Sequence, residues 1–251
     1  NRLMAKILGK RKRSYGSSYK SKRRRVSRRS RRRYNALSQP LRSSLLKSVP
    51  DRLFVTLKYN DRITIDPGSV GSLKVHRFSL NSCHDPDMTG TGHQPRYWDQ
   101  LCNSIEGNGL FHKYKVHACA FSIKMINGSN KELQTFCVAT PHGNTIANGD
   151  DPDAVFESSR CATKILSNSD GGTPKCQFGG KLLIKAVEGV RNLDDSNYNA
   201  TYGNSPGFQP QLAFGAVVMD EASSVTGDCY AEITVYYKVE LFDRIFKSTV
   251  N

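Results

Sequence analysis

From Arg52 onward the chain alternates apolar and polar positions with a period of two. Leu53, Val55 and Leu57 fall on one side, Phe54, Thr56 and Lys58 on the other, and Arg62-Ile63-Thr64-Ile65 keeps the rhythm. Successive side chains of an extended strand point to opposite faces, so this pattern predicts a strand with one buried face. Similar signals predict strands at 52–65, 70–80, 112–126, 133–140, 161–167, 175–189, 211–219 and 228–242, the run from Cys229 to Leu241 being the cleanest. Turn clusters stand between them: Asp66-Pro67-Gly68, Asn127-Gly128, Asn148-Gly149-Asp150-Asp151-Pro152 and Ser169-Asp170-Gly171-Gly172. Helix signals are confined to Pro95–Ile105 and Asp153–Arg160, too short for the crossovers that parallel strands need. The expected class is therefore all-β. Strands of this number, joined by several long loops, predict an eight-stranded antiparallel jelly roll of two packed sheets.

Charge divides the chain in two. Of 37 Lys and Arg, 18 precede Asp51, which is the first acid; residues 51–251 keep the other 19 against 22 Asp and Glu. A near-neutral body of residues 51–251 thus follows a strongly cationic segment of residues 1–50. The cations come in runs: Lys10, Arg11, Lys12, Arg13; Lys20; Lys22, Arg23, Arg24, Arg25; Arg28, Arg29; Arg31, Arg32, Arg33. Mutual repulsion and scant apolar surface predict an Arg-rich N-terminal arm that stays disordered until a polyanion neutralises it. Arg and Lys bind phosphate chains by charge with little demand on base sequence, and Tyr15, Tyr19 and Tyr34 among them suit stacking on unpaired bases. The runs at Lys10–Arg13 and Lys22–Arg25 also have the form of nuclear localisation signals.

Candidate chemistry is sparse. Cys83-His84-Asp85-Pro86-Asp87 with His93 is the densest polar cluster, but neighbours on one loop diverge, and an Asp-Pro turn is the expected reading. In the strand expected at 112–126, alternation places His117 and Cys119 on one face and His112 on the other, which argues against a shared metal. Asp150-Asp151-Pro152-Asp153 lacks the spacing of a calcium loop and reads as an acidic turn. Gly179-Gly180-Lys181 lacks the earlier glycine of a phosphate loop, and neither Gly-x-Ser-x-Gly nor His-Glu-x-x-His occurs. No enzyme activity, cofactor or metal is expected. The seven cysteines, odd in number and without a Cys-x-x-Cys, predict reduced and mostly buried thiols. The longest apolar stretch, Leu212–Met219, is far short of the ~20 residues of a spanning helix.

Tyr97-Trp98-Asp99-Gln100-Leu101 precedes Leu110-Phe111-His112-Lys113-Tyr114-Lys115-Val116, the entry to a long strand through Ala118, Phe121 and Ile123. With the basic arm and the strand order, these segments resemble the capsid proteins of circular single-stranded DNA viruses, the circovirus-like group. The resemblance spans nearly the whole chain. It implies a virion protein that self-assembles into an icosahedral shell and packages a single-stranded DNA genome on its arm. It further implies entry into the host nucleus through import receptors, and a cell-surface receptor of unknown identity. Eighteen cations in each of about sixty copies would offer on the order of a thousand charges, the scale of a small genome's phosphates. Loops 81–110, 141–160 and 190–210 are the expected source of subunit contacts. The alternative is a cellular nucleic-acid-binding protein with a β-sandwich domain. Its rigid body should carry basic residues, and the near-neutral body counts against it.

Overall fold

The computed structural model describes residues 50–69, 71–102, 109–219 and 225–245. The expected nucleic-acid-binding residues, Lys10–Arg13, Lys20, Lys22–Arg25, Arg28, Arg29 and Arg31–Arg33, lie outside the described residues, as does the expected disorder of the arm.

The alternation that opens the body becomes β1 (Leu53–Ile65), with Leu57, Tyr59 and Ile65 buried and Lys58, Asn60, Arg62 and Thr64 turned outward. In chain order follow β2 (Lys74–Ser79), α1 (Trp98–Leu101), β3 (Phe111–Asn127), β4 (Leu133–Thr140), α2 (Pro152–Phe156) and β5 (Cys161–Leu166). Then come β6 (Lys175–Leu183), α3 (Ile184–Glu188), β7 (Asn199–Thr201), β8 (Gln211–Val218) and β9 (Cys229–Arg244). One sheet has the order β1-β9-β3-β6, with the short β7 pairing to β3; the other has the order β2-β8-β4-β5. Every pairing is antiparallel. The chain changes sheet at every step except from β4 to β5 and from β6 to β7, and its first and last strands lie side by side. That order is the eight-stranded jelly roll, with β7 an addition inside the loop between β6 and β8.

The inward faces meet through aromatic contacts. Tyr59 of β1 lies 5.8 Å from Phe78 of β2 between ring centroids. The buried Tyr237 hydroxyl of β9 donates to the Ser79 carbonyl at 2.9 Å, a bond that ties the two sheets together. The second sheet is covered on its outer side as well. There Val75, Phe136, Val138, Ala213 and Val217 form a second apolar cluster with Val155, and Ile146 and Phe156 pack against it. Burial on both faces explains why all eight residues of β8 are buried.

Two expectations are corrected. The strand expected at 175–189 ends at Leu183, and residues 184–188 are helical. Ile184 and Val187, three apart, bury one side of that turn, and Gly189 closes it in the left-handed region at φ 71°. The helix expected at 153–160 starts one residue earlier and is shorter: Pro152 takes the first position and the Asp151 side chain caps the Asp153 amide.

Candidate functional site

The Cys-His-Asp cluster does not converge. Cys83 is fully buried, and burial pushes its thiol well above the ordinary value, so it is not a thiolate nucleophile. His84 faces the Gln94 amide at 2.9 Å, while Asp87 turns to His76 of β2, 2.8 Å from its Nε2. Burial works against ionisation of Asp87, yet bonds from His76 and from the Gly90 and Thr89 amides outweigh it and hold its carboxyl below 3.8. This is a pinned turn, not a catalytic pair. His93, further along, sits 4.7 Å from the Tyr59 ring with Nδ1 at the Gln94 carbonyl and Nε2 at the Asn60 carbonyl, both at 2.9 Å. Only the imidazolium can donate to both carbonyls. The Gln94 contact therefore raises its pKa above 6.5, against the opposing effect of burial.

The expected pairing of His117 with Cys119 is overturned. The register of β3 against β9 slips between Val116 and Ala118, a β-bulge that reverses the alternation beyond it. Cys119 points into the core beside Tyr237, whereas His117 reaches the outer face, its Nε2 2.7 Å from Glu240 Oε2. Arg52 donates to the other Glu240 oxygen at 2.7 Å. Asp150 and Asp151 are occupied locally, accepting from the amides of Ala147 and Asp153. Among the described residues no group of three His, Cys, Asp or Glu side chains could hold a metal ion.

Trp98, from the aromatic segment of the sequence, is 1% exposed and meets Tyr114 of β3 edge-on at 4.7 Å. Its neighbour Asp99 accepts from the Tyr202 hydroxyl at 3.0 Å. The segment therefore anchors two loops to β3. A cavity of about 520 Å³ is lined by Phe121, Cys137, Phe178, Leu182, Val187 and Leu212, with Arg160 and Lys181 as its charged lining residues and no acid among them.

The outer faces of the two sheets differ sharply. The second is roofed by residues 146–156, but among the described residues no segment covers that of β1-β9-β3-β6. Reading across registers, one row runs Lys58, Tyr236, Ala120, Lys181, and the next runs Thr56, Lys238, Ala118, Leu183. On the other side lie Asn60, Thr234, Ser122, Gly179, then Arg62, Glu232, Lys124, Gln177. A last row adds Tyr230 and Lys175. Sequence reasoning missed this face because it summed the charge of the body; the signal was cations at alternate positions of strands far apart in the chain.

No protein-family model and no curated protein matches the chain. Similar solved structures exist. They are viral. The BFDV capsid protein in decameric form is 13% identical, with a TM-score of 0.38 over 76% of this chain and 98% of that one. The same protein as a 60-mer gives 12% identity and a TM-score of 0.36, covering 80% of this chain and 98% of that one. A structure of desmodium yellow mottle tymovirus gives 11% and 0.37, covering 81% and 96%. Likeness at this level does not determine function, and the jelly roll rests on the strand registers themselves.

Proposed function

We propose that the chain is a viral coat subunit that self-assembles into a closed icosahedral shell and packages single-stranded DNA on residues 1–50. The observation that carries this reading is the join, at Asp51, of a segment with 18 cations and no acid to a jelly roll. The jelly roll is an architecture of viral shells, and the preceding segment has the composition of a sequence-indifferent phosphate binder. Lys10–Arg13 and Lys22–Arg25 are the segments that import receptors would read on the way to the host nucleus.

The test is electron microscopy of the full chain and of a chain lacking residues 1–50, with the ratio of absorbance at 260 and 280 nm recorded for each. Closed, uniform particles from the full chain, with nucleic acid lost on removal of residues 1–50, support the reading. Monomers across a range of salt and pH overturn it. The second reading, a cellular nucleic-acid-binding β-sandwich protein, gains one observation: the body is not evenly neutral but gathers Lys58, Arg62, Lys115, Lys175, Lys181 and Lys238 on one sheet face. Absence of particles together with nucleic-acid binding would favour that second reading.

A further inference from the structure

We propose that the bare outer face of the β1-β9-β3-β6 sheet is a second binding surface, for unpaired polynucleotide, distinct from residues 1–50. The proposal deepens the packaging reading and rests on it for the identity of its ligand.

Charge is the first ground. The acids on or beside this face are each already paired: Glu232 with Lys124 at 3.4 Å, Glu240 with Arg52 and His117, and Asp243 with Lys113 at 3.1 Å. Lys58, Arg62, Lys115, Lys175, Lys181 and Lys238 form no ion pair among the described residues. What the face presents to solvent is therefore net positive charge spread over all four strands. A phosphate chain laid across it is neutralised by these side chains and releases its condensed counterions into solution.

Relief and aromatic placement are the second ground. Tyr236 is 43% exposed, Tyr230 51% and Phe54 59%, the two tyrosines on a strand whose other face is buried from Cys229 to Leu241. Around Tyr236 the floor is made of Ala118, Ala120, Ser122 and Thr234, small side chains that leave the ring standing clear. Lys58 holds its ammonium 5.9 Å from the Tyr236 ring centroid, and Lys181 closes the same row on the far side. An open sheet with exposed rings between cations is how single strands are held without base readout: bases stack on the rings and phosphates run to the ammonium groups. A duplex keeps its bases stacked on one another and has none to offer.

The rival occupant is an acidic surface of a second copy. Protein interfaces are depleted in Lys, because the ammonium group is strongly hydrated and costly to enclose. Of the six unpaired cations, all but Arg62 are lysines. A polynucleotide leaves them in contact with water, and the face favours it for that reason.

The test uses the full chain, the variants K58Q/K181Q/K238Q and Y236A, and 5-iodouracil-bearing oligodeoxythymidylate and oligouridylate. The substituted side chains are exposed, and unchanged thermal midpoints would confirm that the variants fold. Photo-crosslinks should map to peptides carrying Tyr230 and Tyr236, besides any in residues 1–50. The triple variant should lower the slope of log binding constant against log salt by about 2, at about 0.7 for each single-strand phosphate no longer neutralised. Y236A should weaken single-strand binding about tenfold while leaving duplex binding and the salt slope unchanged. Crosslinks confined to residues 1–50 with an unchanged slope overturn the proposal. So does loss of particles in the triple variant without crosslinks on the face, which would make it a subunit interface. Crosslinks on the face of a chain that forms no particles would overturn the packaging reading and leave this one standing.

Discussion

Glu240 projects from β9 toward the outer face yet is only 5% exposed, because Arg52 and His117 close over it. Burial alone would raise its pKa, but the two charge-assisted bonds, His117 first, bring the net shift below the ordinary 4.5. A carboxyl with a depressed folded pKa stabilises the protein above its unfolded value, and that contribution is lost as pH falls through the folded one. E240Q should therefore cost about 1–2 kcal/mol at neutral pH. It should also flatten the acid limb of stability below about pH 4.5, read from urea midpoints. An unchanged acid limb would mean that the pair carries no stability. None of this was legible in the sequence. His117 and Glu240 are 123 residues apart, and the bulge beside His117 leaves no mark in the apolar pattern. Trp98 shows the opposite case: the aromatic segment stood out by composition, and its work proves to be packing against Tyr114.

At the scale of elements, the eight principal strands were readable to within a few residues, because each has one face packed and one face turned outward or roofed. What escaped was what periodicity cannot encode. Lys181–Val187 is apolar enough to read as strand, and only the spacing of Ile184 and Val187 with Gly189 behind them marks the helical turn. β7 is three residues long, below the length at which alternation can be recognised. Gly215 is another such point. A Cβ there would fall on the Lys74 carbonyl of the neighbouring β2 and press on the Phe136 ring at 3.0 Å. G215A should cost about 1–3 kcal/mol, as overpacking does. Hydrogen exchange should locate the loss at the β2–β8 pairing (Val75 opposite Gly215), with β1–β9 spared. Equal loosening of both sheets would place the strain elsewhere.

At the scale of the molecule, net charge misled where topology did not. A sum near zero over residues 51–251 concealed a group of cations on one sheet face, while the outer side of the opposite sheet is sealed by its own loop. Loop 141–160 supplies Ile146, Val155 and Phe156 to that seal. The sheet that carries the basic face also depends on β9, which lies between β1 and β3 and pairs with both along most of its length. A chain ending at Val218 should therefore fail to fold; rapid proteolysis of residues 51–218 and loss of the near-ultraviolet dichroic signal would check it. A folded truncated chain would show that the second sheet stands alone.

The strand in the middle of the sheet is thus made after both of the strands that flank it. β1 leaves the ribosome well before β9 and must wait for it. Pairings that distant in sequence place closure in the slow range of folding, milliseconds to seconds. Synthesis of β9 becomes a checkpoint: a chain abandoned before residue 229 has no central strand, cannot close the sandwich, and is excluded from any assembly before it can spoil one.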